Sequence, residues 1–119
     1  MSDAEPWPTA IDADREQRQL VVSYNNGETY ALSFELLRVE SPSAEVQGHV
    51  PNQKITVTGK RHVQITNIEP VGNYAIRIMF DDGHNSGIYS WRTLREMGAN
   101  QKEIWQNYLA ALAKKGGQR

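Results

Sequence analysis

The sequence predicts a small α+β domain: a mostly antiparallel β-sheet with short helices and a C-terminal amphipathic helix packed on it. Three observations carry that expectation. Tyr74, Ile76, Ile78 and Phe80 alternate with Ala75, Arg77, Met79 and Asp81, the period of a half-buried strand. Leu20, Val22 and Tyr24 alternate likewise and run into Asn25-Asn26-Gly27, a hairpin signal because Asn and Gly tolerate positive φ. Ile104, Trp105, Tyr108, Leu109 and Leu112 fall on one face of a helix.

Taken in order, residues 1–10 carry Pro6, Trp7 and Pro8 among small polar residues and read as an extended N-terminal tail, with Trp7 able to tuck against the domain. One domain is expected over residues 11–115. The strand at Leu20–Tyr24 returns through Glu28 to Leu32, and Ser33 caps a short helix through Arg38 that faces Phe34 and Leu37, with Leu36 beside them, to the core. Residues 40–60 hold Ser, Pro, Gly and charge with little periodicity, so a long loop is expected, with at most a short strand at 55–57. Val63 and Ile65 alternate until Asn67 interrupts them, which predicts a bulge. Pro70 and Gly72 make a turn into the 74–80 strand. The Asp81–Gly87 turn follows, then a short strand at Ile88 and Tyr89. Ser90 caps a helix from Trp91 to Met97 that Gly98 stops. Asn100 opens the last helix with Glu103 three residues on, the capping-box arrangement. Lys114 and Lys115 suit its C-terminal end, Gly116 and Gly117 terminate it, and 116–119 read as a flexible C-terminus.

Composition removes several function classes. The chain has 119 residues, 39% hydrophobic and 23% charged, which suits one globular domain. A net charge of −1 creates no field that would gather nucleic acid or an anionic membrane. With 0 cysteines, disulfides, thiolate nucleophiles and cysteine-based metal sites are out of reach. The same absence fits a cytoplasmic protein, and no secretory signal or membrane span is visible.

The densest chemistry lies at residues 80–91, Phe-Asp-Asp-Gly-His-Asn-Ser-Gly-Ile-Tyr-Ser-Trp. His84, Asp81 and Asp82 offer one imidazole and two carboxylates, a set that iron or zinc accepts. A facial site needs a second histidine, and His49 and His62 lie on other segments. The preferred reading is that both aspartates accept turn amides and His84 bonds locally. Ser41, Ser43, Ser86 and Ser90 read as caps and turn residues, since no Gly-x-Ser-x-Gly elbow is present. Lys54, Lys60, Arg61 and His62, with Arg77 nearby, make a basic patch able to hold a small anion or an acidic partner. The more ordinary reading is a solvated strand end. The aromatics Trp91, Trp105 and Tyr108 read as core.

The run from Leu37 to His49, Leu-Arg-Val-Glu-Ser-Pro-Ser-Ala-Glu-Val-Gln-Gly-His, with Gly59-Lys60-Arg61, Ile68-Glu69-Pro70-Val71-Gly72-Asn73-Tyr74-Ala75-Ile76 and Phe80–Trp91, resembles the N-terminal domain of gamma-butyrobetaine hydroxylase in its stand-alone bacterial version, a domain of unknown function. In the hydroxylases this domain carries a zinc held by a Cys-Pro-Cys-x-x-Cys segment after a Leu-Arg pair and by one histidine. The resemblance puts Ser41, Ser43 and Val46 at the cysteine positions and His84 at that of the histidine. Serine is a poor zinc ligand and valine is none, so no metal is expected. Hydrogen bonds from Ser41 or Ser43 to His84 are expected in its place.

The hydroxylases perform their chemistry in a separate domain, so the resemblance implies a non-catalytic accessory or protein-interaction domain. No cofactor is expected, and another protein is the expected partner rather than nucleic acid or membrane. A homodimer stays open, because the hydroxylases use this domain near their subunit contacts. The expected surface comprises Ser41, Ser43, His49, Lys60, Arg61, Asp82 and His84. The alternative is a metal-binding protein with a single iron or zinc ion, serving iron–sulfur or metal-cofactor assembly, a link suggested by related domains fused to Mrp-type iron–sulfur carrier ATPases.

Overall fold

A computed structural model describes residues 5–48 and 53–119. His49 lies outside the described residues. The strands divide into two antiparallel sheets of three. The first orders β1 (Pro8–Asp14), β2 (Gln19–Tyr24) and β3 (Thr29–Ser33); the second orders β4 (Ile65–Val71), β5 (Ala75–Phe80) and β6 (Gly87–Ser90).

The β2–β3 and β4–β5 hairpins follow from the sequence chemistry. Gly27 takes φ 92 in the β2–β3 turn, and Gly72 takes φ 54 in the β4–β5 turn, conformations that glycine adopts without a steric penalty. Between Ile65 and Asn67 the β4–β5 register shifts, which is the bulge expected at Asn67. Strand β4 continues through Pro70 to Val71, further than the expected turn. An edge strand tolerates a proline because its missing N–H need face no partner. At the other end of β4, Arg15 donates to the carbonyls of Ile65 and Thr66 at 3.2 and 3.4 Å.

Residues 8–10, expected within the tail, belong to β1 and pair with β2 from Pro8 onward. Their side chains scarcely alternate in polarity, so the pairing partner, not an apolar period, makes the strand. Trp7 is half exposed. Its amide donates to Asn25 Oδ1 at 2.9 Å and its carbonyl accepts from the Asn25 amide, also at 2.9 Å.

Leu20, Val22, Leu32, Phe34, Leu37, Ile65, Ile78, Tyr89 and Leu94 meet in the core, all essentially fully buried. Helix α1 (Phe34–Val39) starts at Ser33, whose hydroxyl accepts from the Leu36 amide at 3.0 Å. Such a cap contributes about 1 kcal/mol. The expected 40–60 loop contains α2 (Ala44–Gln47), capped by Ser43, and no strand at 55–57.

Helix α3 (Trp91–Ala99) runs through Gly98. A Cβ there would lie 2.4 Å from Cγ of Tyr30, so Gly98 serves close packing of α3 on β3 rather than a helix stop. Helix α4 (Gln101–Lys115) begins at Asn100, but the capping box does not form. Asn100 Nδ2 instead donates back to the Glu96 carbonyl at 2.9 Å. Ile104 and Trp105 touch the main core, while Tyr108 and Leu112 build a second small cluster on Val39 and Val57. Leu109, expected on the same face, is 38% exposed. Among the described residues no helix is long and apolar enough to cross a membrane.

Residues 116–119 fold back onto the domain instead of trailing free. The Gly59 amide donates to the Gln118 carbonyl at 2.8 Å, and Arg119 pairs with Glu35.

Candidate functional site

The turn between β5 and β6 faces α2 and the segment before it. Gly83 adopts φ 89, and the Phe80 amide donates to the His84 carbonyl at 2.9 Å, closing the turn. Asp82 Oδ1 accepts from the His84 amide at 3.0 Å. Asp81 Oδ1 accepts from the Gln64 amide at 3.1 Å. Both aspartates therefore do what turn carboxylates ordinarily do. The turn aims the His84 imidazole inward, where the residue is only 5% exposed.

Two groups meet that imidazole. Nε2 lies 2.9 Å from Ser41 Oγ, and Nδ1 lies 3.0 Å from Glu45 Oε2. An ionised carboxylate only accepts, so Nδ1 carries the proton and Nε2 accepts from the serine hydroxyl. Ser41 Oγ also accepts from the Ser43 amide at 3.2 Å. Ser43 Oγ meets Ser86 Oγ at 2.7 Å, so Ser43 reaches the turn without touching the histidine. Tyr89 donates to the Leu37 carbonyl, and Gln47 Nε2 donates to the Ser41 carbonyl at 2.9 Å. Val46 is buried at 2% exposure. Its carbonyl accepts from the Ile55 amide at 2.7 Å.

Charge surrounds this neutral centre. Asp82 Oδ2 takes Arg38 Nε and Lys60 Nζ, each at 2.7 Å. Burial pushes the Asp82 carboxyl up, but Lys60, the His84 amide and Arg38 outweigh it and hold it at about 2. Burial, reinforced by the Arg38 guanidinium, holds His84 below its ordinary 6.5 against the pull of Glu45 and Asp82. The imidazole is thus kept neutral.

Ser41, His84 and Glu45 share the connectivity of a hydrolase triad: hydroxyl to Nε2, Nδ1 to carboxylate. Access differs. Ser41 is 0% exposed, and Gly87 lies so close that a Cβ there would stand 2.6 Å from its oxygen. Glu45 was not among the residues singled out from the sequence. A carboxylate two residues beyond a helix cap carries no signal until the fold shows what it faces.

The zinc of the hydroxylase domain does not fit these residues. Two ligands on one tetrahedral zinc, with bonds of about 2.0–2.1 Å, stand about 3.3 Å apart. Ser41 Oγ and His84 Nε2 are at hydrogen-bond distance, 2.9 Å, and Val46 offers no donor. Among the described residues no group of three His, Cys, Asp or Glu side chains is placed to hold a metal ion.

The basic patch is largely spent. Lys54 pairs with Glu40, Lys60 with Asp82, and Arg77 with Glu69, its register partner across β4–β5. Arg61 and His62 remain exposed. They help line a concavity of about 420 Å³ with Asp81, Asp82 and Arg119. A second concavity, about 380 Å³, lies over the latch itself between Arg38, Glu45, His84, Ile55, Lys60 and Lys115.

A family model described as gamma-butyrobetaine hydroxylase-like, N-terminal, matches residues 11–95. The chain belongs to this family. Solved structures agree. Two proteins determined by NMR in solution are 46% and 40% identical, with TM-scores of 0.84 and 0.83; the matches cover 100% and 98% of this chain and 89% and 91% of theirs. A crystal structure of a protein of unknown function from Acidithiobacillus ferrooxidans, of the DUF971 family, is 39% identical with a TM-score of 0.68, covering 81% of this chain and 99% of that one. A search of curated proteins finds no match. Within this gamma-butyrobetaine hydroxylase-like family, the chain presents an oxygen-and-nitrogen latch at the positions that the hydroxylase resemblance assigns to zinc.

Proposed function

We propose that this chain is a non-catalytic accessory domain that engages another protein through the surface over the His84 latch. One observation carries the reading: the polar groups at the centre are satisfied by one another. The Ser41 hydroxyl serves His84 and the Ser43 amide, and the imidazole serves Ser41 and Glu45. A reacting centre needs a group free to meet a substrate, and this one is closed. What it does is fix α2 and the 53–58 segment against the β5–β6 turn. That leaves the half-exposed Ile55 on a firm support between Glu45 and Lys115, while Asp82 holds Arg38 and Lys60 beneath. An apolar side chain flanked by charges of both signs suits a partner with an apolar contact and a polar rim.

Cross-linking from the native cell tests this, using the unaltered chain beside Ile55→Asp and Lys115→Glu. The expected result is one protein captured by the unaltered chain and lost from both variants, while a control change at Gln106 keeps it. Elemental analysis of untagged protein tests the rival reading. Stoichiometric iron or zinc would establish the metal-binding alternative in cofactor assembly and overturn the accessory one.

A further inference from the structure

Glu35 is the one acidic residue buried among the described residues, at 6% exposure. It lies in the first turn of α1. A buried carboxylate needs a cation or a set of donors to offset its lost hydration. Its cation comes from far along the chain. Arg119 Nε donates to Oε2 at 3.1 Å and Nη2 donates to Oε1 at 2.8 Å, a two-pronged fork. The same guanidinium lies 5.2 Å from the centre of the Trp105 ring.

The two partners are unequal. The Glu35 side chain is 7% exposed and that of Arg119 is 37% exposed. The carboxylate is built into the fold, whereas the cation reaches it from the surface. Beside the pair lies a concavity of about 280 Å³ lined by Ser33, Glu35, Leu36, Gln101, Trp105 and Arg119. A recessed carboxylate, an indole face and an aliphatic wall together match an alkyl guanidinium. The carboxylate takes the fork, the ring takes the cation face, and Leu36 takes the stem. Arg119 arrives through Gly116, at φ 76, and Gly117, where a Cβ would stand 2.7 Å from Thr58. The backbone of that route is docked, with the Gly117 amide donating to the Leu112 carbonyl at 3.0 Å and the Gln118 carbonyl accepting from Gly59 at 2.8 Å, so only the Arg119 side chain need move to vacate the site.

We propose that the Glu35–Trp105 pocket is an arginine-recognition site, filled here by the chain's own Arg119, which gives way to an arginine side chain of a partner protein. The proposal stands on residues outside the His84 latch and does not depend on the function proposed above.

The test uses the full chain carrying Arg119→Ala, with folding confirmed by its amide NMR spectrum. The probe is N-acetylarginine methylamide, followed at the Trp105 indole signal. The expected result is saturable binding to Arg119→Ala. Binding to the unaltered chain should be weaker by roughly tenfold or more, because tethered Arg119 competes at a millimolar effective concentration. Arg119→Lys should fall between them, since an ammonium cannot reproduce the fork. Adding Glu35→Gln to Arg119→Ala should abolish binding. No saturation in folded Arg119→Ala overturns the proposal, as does equal binding with and without Glu35→Gln. Failure of both Arg119 variants to fold also overturns it, because Arg119 would then be part of the fold's support and not a displaceable occupant. Free arginine binding more tightly than the blocked probe would overturn the assignment to a protein side chain.

Discussion

The loop after α1 and the segment after α4 are both drawn onto the body of the domain by a buried polar side chain, but by different physics. His84 holds its loop through a neutral imidazole: that ring and its Ser41 partner are both sealed from water, and only the Glu45 carboxylate on Nδ1 reaches solvent. Glu35 holds the C-terminal segment with an ion pair whose cation stands partly in water. A sealed neutral contact depends on every partner being present, because an orphaned buried group forfeits its hydration. A half-exposed ion pair costs less to break, because water and salt replace part of it. The first therefore behaves as architecture and the second as a fastening that can be undone.

The sharpest way to break this comparison is to remove each clip. His84→Ala should cost about 3 kcal/mol, combining lost packing against Phe80 with an unpartnered Ser41 hydroxyl. Urea denaturation measures it, and a loss below about 1 kcal/mol would remove the distinction. Arg119→Ala should cost about 1–2 kcal/mol by the same measurement, since Glu35 loses its cation but gains access to water at the vacated site. Ser41→Ala should cost about 1 kcal/mol, leaving Nε2 without its donor.

Acid sharpens the contrast further. Burial holds His84 below its ordinary 6.5, so the unfolded chain takes up that proton first as pH falls. The contribution is full above about 6.5 and drains as pH drops toward the folded value. His84→Gln should flatten this part of a stability-against-pH curve, and Arg119→Ala should leave it intact. Salt gives the smallest effect. Raising sodium chloride to about 1 M should narrow the gap between the unaltered chain and Arg119→Ala by a few tenths of a kcal/mol, and leave the His84→Ala gap unchanged.

Local pattern made much of the fold legible. Strands β2, β3 and β5 announce themselves by alternation, the β2–β3 hairpin by Asn26-Gly27, and α1 and α3 by their serine caps. Strand β1 was hidden because its burial alternates weakly and β2 supplies its partner. The division into two sheets is likewise a matter of long-range pairing. Gly98 looked like a helix end because its reason, the Tyr30 ring, lies on another element. In the candidate site, Ser41 meeting His84 was foreshadowed by the family resemblance, which aligned both with metal ligands. Glu45, and the pairing of Lys60 and Arg38 on Asp82, required the fold. So did the Arg119–Glu35 pair, since 84 residues separate them.

Strand β4 carries one more lesson, along its outer rim. Pro70 has no N–H to offer there, and Arg15 already occupies the carbonyls of residues 65 and 66. A neighbouring molecule would find few main-chain handles to zip onto along that flank. Concentrated solutions of the protein should accordingly resist growing into filaments by that route, and contacts with other molecules are steered toward side-chain surfaces elsewhere.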